Sequence, residues 1–402
     1  MRKKAAASVI CVLLTVPVCR AAGPKLADER RVFPKAEPAW KRPAQSSLWA
    51  MRLSPDGKNV LYTRPKGEQA GRPGGAEGGD RASYEVVLRR LASGKETVLP
   101  IPPLKRGWRT VFTRFDCFDR AGRRLILASI KSEQRTVGEA AQAVRTSMEL
   151  LIFDVASGKS SPTGVRGARV FGKFDRSGRG LIVMEDMRVC RAAPPKYELK
   201  PTGLLGLLQS VCPAADVVCA LAMPAKPREM GRRMRPALVL FDIRARRQIA
   251  KLPMHERNRK LDDWESQWTA DGRHLCYYDV EEEDADAAGG RRKRLKAFTR
   301  VWDRVAGKEA GRIGEAVALG PGPTPTTMVL AKRGTAGYER LLLHDAATGG
   351  EWVLGDGRLS PIHAAGKTVL YVKALPDGVE AAHVARIAWP GGKGEHGQDQ
   401  ER

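Results

Sequence analysis

The sequence has few aromatic residues and few histidines, and it lacks the motifs of most enzyme classes. Aromatic residues make up 6% of its 402 residues, and its six histidines do not form the HExxH pattern of zinc proteases. No Gly-x-Ser-x-Gly segment is present, which excludes the nucleophile elbow of an α/β-hydrolase domain. The sequence therefore predicts no catalytic residue, no metal ligand and no cofactor.

Long apolar runs are also missing, apart from one at the N-terminus. Three basic residues at positions 2–4 precede the apolar run Ala5–Cys19, and small residues follow it. This pattern is typical of a secretory signal peptide, and the run is shorter than the roughly 20 apolar residues that a membrane span needs. We predict a signal peptide over residues 1–22, export to the periplasm or outside the cell, and no transmembrane segment after cleavage. A lipid anchor on Cys19 and a retained membrane anchor are the alternatives.

Cysteines are few, and five lie beyond the predicted leader. The number is odd, and their spacing matches no zinc-binding pattern. One disulfide among Cys190, Cys212 and Cys219 is one interpretation, because an exported protein meets an oxidising compartment. The sequence favours buried, unpaired thiols.

A ten-residue pattern recurs along the chain, starting at Trp49, Arg114, Val170 and Trp264. A large apolar residue (Leu53, Phe118, Phe174, Trp268) is followed by a side chain with an oxygen (Ser54, Asp119, Asp175, Thr269) and then by glycine (Gly57, Gly122, Gly178, Gly272). We expect the apolar residue to pack between sheets, the oxygen to accept hydrogen bonds in the turn, and the glycine to adopt a positive φ. Weaker copies lie at Val211–Leu221 and Ile362–Val372, and another is inferred near Gly320–Ala331.

A second pattern alternates with the first. Leu150–Lys159 matches Leu341–Gly350, and both predict a strand, a turn with Asp and Gly, and a second strand. One unit therefore has four strands and is about 50 residues long, which is typical of a β-propeller. We predict an all-β fold, a propeller of about seven four-stranded blades that an N-terminal strand near Arg31–Trp40 closes. The predicted division is a leader (1–22), an N-terminal extension that contributes the closing strand (23–44), the propeller (45–390) and a disordered tail (391–402).

The segment Ser54-Pro-Asp-Gly-Lys58, followed by a strand, resembles the WD40-like (PD40) repeat of TolB-type propellers. Propeller domains of prolyl-oligopeptidase-type peptidases carry the same repeat. The resemblance covers residues 45–390 and implies the fold, but it implies no activity. Long inserts at Pro65–Ala82 and Asp279–Leu295 and an aberrant third unit around Arg191–Pro201 depart from the pattern.

Basic residues outnumber acidic ones, with 70 Lys and Arg against 45 Asp and Glu and a net charge of +25. Five of them follow the turns of the repeat directly: Lys58, Arg123, Arg179, Arg273 and Lys367. Equivalent turns of a propeller lie on one face, so these residues are the candidate binding face for an acidic protein or an anionic polymer. Ordinary solvated surface charge is the alternative, and the sequence favours it. Nucleic acid is not an expected partner, because no aromatic residues alternate with these cations.

Four other features could carry chemistry, and each has a plainer structural interpretation. Gly366-Lys367-Thr368 suggests a phosphate loop but lacks its first glycine, so we predict a hairpin turn. Asp154, Asp242, Asp303 and Asp345 recur before turns, and we predict turn caps rather than metal ligands. The acidic segment Glu281–Asp286 and the basic segment Arg291–Arg294 are predicted to be arms of one hairpin loop rather than a calcium site. His344 is predicted to pack, because Phe153 and Phe241 fill its place elsewhere.

Together these features predict an exported, non-enzymatic binding or scaffold protein of the cell envelope. One propeller face would be presented to a protein or to an anionic partner, without a cofactor. The alternative is an envelope hydrolase or lyase that acts on glycan or peptide at the propeller channel. A third interpretation is assembly with separately encoded catalytic or transport subunits.

Overall fold

The computed structural model confirms that the chain is all-β. It describes residues 23–33, 51–65, 84–99, 108–137, 140–168, 170–223, 237–255, 258, 266–287, 290–333, 339–374 and 380–389. These segments contain strands and turns but no helix, so none of them provides a helix that could cross a membrane. The predicted leader, the glycine-rich insert at Gly71–Gly79 and the predicted tail lie outside the described residues.

Twenty-six strands follow one another along the described part of the chain. In chain order they are β1 (Lys25–Arg31), β2 (Arg52–Leu53), β3 (Asn59–Pro65), β4 (Tyr84–Arg90), β5 (Glu96–Val98), β6 (Trp108–Phe118), β7 (Arg124–Val137), β8 (Ala140–Asp154), β9 (Lys159–Gly167), β10 (Val170–Phe174), β11 (Leu181–Glu185), β12 (Arg188–Ala192), β13 (Lys200–Val211), β14 (Val217–Ala222), β15 (Ala237–Asp242), β16 (Arg247–Lys251), β17 (Gln267–Trp268), β18 (His274–Ala287), β19 (Gly290–Asp303), β20 (Lys308–Gly314), β21 (Ala316–Pro321), β22 (Thr327–Arg333), β23 (Glu339–Asp345), β24 (Glu351–Ala365), β25 (Thr368–Ala374) and β26 (Glu380–Ala388).

Hydrogen bonding arranges these strands into five antiparallel sheets. Three sheets have four strands each: β2–β5, β6–β9 and β17–β20. The other two have seven, β10–β16 and β21–β26 with β1 at the edge. In both seven-stranded sheets one strand changes partner along its length: the first half of β13 pairs with β12 and the second half with β14, and β24 divides in the same way between β23 and β25. Each of these sheets therefore contains two four-stranded groups that share a strand.

The turns of the ten-residue pattern have the predicted geometry. Gly57, Gly122, Gly178 and Gly272 have φ values between 65° and 68°. The oxygens of Ser54, Asp119, Asp175 and Thr269 accept backbone hydrogen bonds of 2.7–3.2 Å from residues four or five positions later. The weak copy at Val211–Leu221 and the inferred copy near Gly320–Ala331 form turns as well, since Cys212 N donates to Val217 O and Gly322 N donates to Thr327 O, both at 2.9 Å. Alanine and proline replace the turn glycine there, which is why the sequence shows them only weakly.

Seven hydrophobic clusters occupy the spaces between four-stranded groups in the described part of the chain. Each cluster combines side chains from two consecutive groups; Trp268 of β17, for example, lies with Leu221 and Leu240 of the preceding sheet. The cluster that contains Leu53 of β2 also contains Leu370 of β25, and so joins the first group to the last. The predicted packing of the large apolar residue between sheets is therefore confirmed.

An N-terminal strand lies at the edge of the last sheet. β1 runs antiparallel to β26, with Lys25 opposite Ala388 and Arg31 opposite His383. It precedes the segment near Arg31–Trp40 that the sequence predicted, and most of that segment lies outside the described residues. The difference has a physical reason: β1 is an exposed edge strand with mostly charged side chains, so it carries no apolar alternation that sequence patterns could detect.

Two further expectations concern cysteines and the charged insert. Cys190, Cys212, Cys219 and Cys276 are buried and form no disulfide, and the side chain of Cys117 lies outside the described part. The charged insert is not a loop: β18 and β19 pair along their whole length, with Glu283 opposite Arg294 and Asp286 opposite Arg291. Acidic residues of β18 therefore occupy register positions opposite basic residues of β19, as the opposite-charge interpretation predicts. Both segments belong to the two paired strands rather than to a loop.

Candidate binding face

The five basic residues of the candidate binding face all lie at equivalent ends of strand pairs, and all are exposed. Each follows the turn that connects the first two strands of a four-stranded group. The backbone carbonyls of Lys58, Arg123 and Arg273 accept hydrogen bonds of 2.8–2.9 Å from the first residue of the hairpin turn in the same group, and Lys367 accepts one of 2.7 Å from Ile387. These bonds keep both turns of a group at the same end of its sheet.

Consecutive turns also contact one another. A Cβ placed on Gly122 would meet the Asp56 carboxylate at 3.3 Å, and one on Gly178 would meet Asp119 Cβ at 3.6 Å. The guanidinium of Arg124 donates to the carbonyl of Gly178. The first three turns of the pattern therefore touch in the order of the chain.

The contacts continue through the weaker copies. The third turn meets the turn at 212–217, where Arg176 Nε lies 3.3 Å from Asp216 Oδ1. That turn meets the next one, since Cys212 Sγ lies 3.4 Å from the carbonyl of Gly272. Asp271 N then donates to Pro325 O at 3.1 Å, in the turn at 322–327.

Between the sixth and seventh groups, a Cβ on Gly320 of β21 would clash with the carbonyl oxygen of Ala364 in β24, two residues before the turn at Gly366. The last turn then meets the first, because a Cβ on Gly57 would clash with Thr368 Oγ1. The series of contacts between neighbouring groups therefore returns to its starting point.

Two carboxylates in these turns, those of Asp56 and Asp271, accept hydrogen bonds from their own turns. Asp56 Oδ1 accepts from Ser54 Oγ at 2.5 Å and from Lys58 N at 3.0 Å, and Asp271 Oδ1 accepts from Thr269 Oγ1 at 2.6 Å and from Arg273 N at 2.9 Å. The guanidinium of Arg273 lies 2.8 Å from Asp303 Oδ2. Its charge is thus partly neutralised, and the binding face depends mainly on Lys58, Arg123 and Arg179.

Sequence reasoning missed two basic residues on this face, Arg120 and Arg176. Both occupy the second position of a turn, where the pattern shows no common residue type. Arg120 Nη1 donates to Pro213 O at 3.3 Å, so its side chain reaches past the neighbouring turn to the one after it. The turns therefore converge closely enough for one side chain to connect two that are not consecutive.

The aspartates before the hairpin turns are caps, as predicted. Asp154, Asp242, Asp303 and Asp345 each accept a backbone hydrogen bond of 2.7–3.0 Å from a residue two or three positions later. Burial alone would raise the pKa of Asp303, but hydrogen bonds from Arg273, Ala306 and Val305 outweigh it and lower the pKa to about 2. In the part of the chain that the structure describes, no group of three or more His, Cys, Asp and Glu side chains could hold a metal ion.

Two buried histidines lie beside the candidate face. His344 precedes the capping aspartate that ends β23, as Phe153 precedes the one that ends β8, and its burial agrees with its predicted packing role. Its Nδ1 lies 3.7 Å from Glu351 Oε1, and His274 Nε2 lies 3.7 Å from Asp303 Oδ2. Burial lowers the pKa of both imidazoles, and the nearby carboxylates only partly oppose it. The predicted hairpin at Gly366 is also present, with Ala365 opposite Thr368.

Comparison with known proteins gives likeness only at the level of solved structures. No family model and no curated protein matches the sequence. The β-propeller domain of the Trilobed protease from Pyrococcus furiosus, which has an open velcro topology, is 11% identical, with a TM-score of 0.46 over 91% of this chain and 94% of that one. TolB from Acinetobacter baumannii is 13% identical, with a TM-score of 0.36 over 86% and 85%. An oligogalacturonate lyase in complex with manganese is 12% identical, with a TM-score of 0.37 over 84% and 76%. At these identities and scores, the likenesses assign neither an activity nor a partner to this chain.

Proposed function

We propose that this chain is a closed, seven-bladed β-propeller and an exported, non-enzymatic binding or scaffold protein of the cell envelope. It presents the binding face of Lys58, Arg123, Arg179, Arg273 and Lys367 to an acidic protein or an anionic polymer. The observation that carries the proposal is the series of contacts between neighbouring groups, which includes the turns that bear these residues and returns to its starting point.

The arrangement of the sheets supports a count of seven blades. Three four-stranded sheets and two seven-stranded sheets, each divided by a shared strand, make seven groups of four. The apolar cluster with Leu53 and Leu370 supports closure between the first and last groups. β1 then covers the edge of β26, which would otherwise expose unpaired backbone groups that promote aggregation.

The electrostatics of the face support an anionic partner. Lys58, Arg123 and Arg179 are exposed, while the nearby carboxylates of Asp56 and Asp271 are held by their own turns. Cations on one surface raise the local concentration of anions and speed their association, most strongly at low salt. Export is supported separately by the signal-peptide pattern over residues 1–22.

The test is a charge-reversal variant of the face in a pull-down from envelope extract. One variant carries Lys58→Glu, Arg123→Glu and Arg179→Glu. A matched control carries Arg31→Glu, Lys251→Glu and Lys332→Glu, which change the charge equally at the opposite strand ends. The wild type and the control should retain a defined partner at low salt, and the face variant should lose it. Equal capture by both variants would contradict the proposal, as would turnover of glycan or peptide by the wild type.

A further inference from the structure

A cavity of about 550 Å³ lies between the third and fourth four-stranded groups. It is bounded by the turn at Asp175 and by the hairpin turn at 243–246. Its third side is residues 191–202, which comprise the end of β12, the connection to β13 and the start of β13. We call it the Arg191 cavity. The sequence of this region departs from the repeat around Arg191–Pro201, and none of the five residues of the binding face lines the cavity.

The rim of the cavity is a fixed structure rather than a loose insert. Tyr197 packs against the apolar cluster between the second and third groups, and its backbone N donates to Ala193 O at 2.9 Å. At the other end of the segment, Thr202 is buried and its Oγ1 donates to Val189 O at 2.7 Å. The cavity therefore exists before any ligand arrives, which reduces the entropic cost of binding.

The lining is strongly basic. Its cations are Arg191, Lys196, Lys200, Arg244 and Arg246, and its carboxylates are Asp175 and Glu198. Asp175 Oδ1 accepts hydrogen bonds from Ser177 Oγ at 2.6 Å and from Ser177 N at 3.0 Å. Glu198 lies 4.0 Å from Lys196, and both side chains are mostly exposed. Among the described residues, no ion pair joins Arg191, Lys200, Arg244 or Arg246 to a carboxylate.

We propose that the Arg191 cavity binds a sugar that carries two or more phosphate or carboxylate groups. Arginine presents a planar fork of donors that matches both groups, and three arginines line this site. The volume lies within the range of small-ligand sites, about 300–1,000 Å³, and is larger than a simple inorganic anion needs. The carboxylate of Glu198, which lines the cavity, can accept hydrogen bonds from sugar hydroxyls. This ligand is separate from the partner of the binding face, so the inference does not depend on the proposed function.

Isothermal titration calorimetry of the full chain tests the inference with three probes: fructose 1,6-bisphosphate, digalacturonate and inorganic phosphate. At least one sugar should bind saturably and more tightly than inorganic phosphate. Binding of the bisphosphate alone assigns the site to phosphate groups, and binding of digalacturonate alone assigns it to carboxylate groups.

Matched variants locate the binding. Arg191→Gln with Arg244→Gln should weaken it at least tenfold, while Arg31→Gln with Lys251→Gln, at the opposite strand ends and outside both the cavity and the binding face, should leave it unchanged. Thermal unfolding of both variants checks that they are folded. The inference is overturned if neither sugar binds saturably, if inorganic phosphate binds equally well, or if the two variants lose affinity equally. Failure of the pull-down with the binding-face variant would leave these results intact, so the two proposals fail separately.

Discussion

The carboxylate of Glu29 lies 3.1 Å from the ammonium group of Lys373, although 344 residues separate them in the sequence. His383 Nε2 lies 3.9 Å from the same carboxylate, and its ring stacks on Tyr371 with the centroids 5.9 Å apart. Burial opposes ionisation of Glu29, but Lys373, Tyr371 and His383 together lower its pKa. The group is half exposed, and such pairs contribute little stability. β1 is therefore held mainly by its backbone pairing with β26 and by the burial of Leu26 and Val32.

Removal of β1 should destabilise the protein and expose a sheet edge. A variant that lacks residues 23–33 loses the hydrogen bonds to β26 and leaves that strand unpaired. We expect a lower thermal midpoint and concentration-dependent self-association, measured by scanning fluorimetry and by light scattering after size exclusion. The control is Glu29→Gln in the full chain, which keeps the strand and should stay monomeric. An unchanged midpoint for the deletion would contradict the role of β1.

The contact between the first and last turns can be measured with glycine substitutions. Gly57 and Gly158 have φ values of 68° and 69°, but only Gly57 has a neighbour within 4 Å of an added Cβ, namely Thr368. Gly158→Ala should cost about 1–2 kcal/mol for its backbone conformation alone. Gly57→Ala should cost more, because its Cβ would lie 2.3 Å from Thr368 Oγ1.

A double-mutant cycle then isolates that contact. Thr368→Ala removes the clashing oxygen, so the Gly57→Ala, Thr368→Ala pair should be less destabilised than the sum of the single variants. Denaturant unfolding gives the free energies. Strict additivity would mean that the two turns do not meet.

A buried ion pair in the fifth group should be essential for stability. Asp279 is fully buried, its Oδ2 lies 2.7 Å from Arg300 Nε, and its Oδ1 accepts hydrogen bonds from the backbone N of His255 and Val280. Asp279→Ala leaves Arg300 buried beside Glu309 alone, and we expect a loss of about 3–5 kcal/mol in the free energy of unfolding. Glu281→Ala, which removes an exposed partner of Arg312, should cost below about 1 kcal/mol. Similar losses for both variants would contradict this account.

His344 should make the protein less stable in mild acid. Because burial lowers its pKa below the ordinary 6.5, the unfolded chain binds the proton more readily than the folded protein. The stability contributed by the neutral ring is present above about pH 6.5 and is lost as the pH falls below it. His344→Phe copies the residue at the equivalent position of β8 and removes a buried Nδ1 that has no hydrogen-bond partner among the described residues.

The measurement is the free energy of unfolding of wild type and His344→Phe at several pH values between 8 and 5. The wild type should lose stability toward pH 5, and the variant should lose less. Part of the loss should persist in the variant, since burial also lowers the pKa of His274. Parallel curves would show that His344 does not titrate on unfolding in this range.

Short-range sequence patterns were enough to predict the turns and the contacts made within one group. The pattern of Leu53, Ser54 and Gly57 specifies a tight turn through residues at most five positions apart, so its geometry depends on local hydrogen bonds and on a positive φ. The cap at Asp303 and the hairpin at Gly366 are equally local. The turns at 212–217 and 322–327 lack glycine at the fourth position; they close with the same backbone bond but carry a weaker pattern.

Long-range relationships required the folded chain. β1 has a charged, exposed sequence, and its register with β26 depends on a partner more than 350 residues away. The shared strands β13 and β24, the reach of Arg120 to Pro213, and the cations of the Arg191 cavity all bring together residues whose spacing follows no period. Local patterns thus specify each turn and the apolar face of each strand, because those depend on neighbouring residues. The contact between the first and last groups and the grouping of charges depend on which surfaces pack together, and no local pattern encodes that choice.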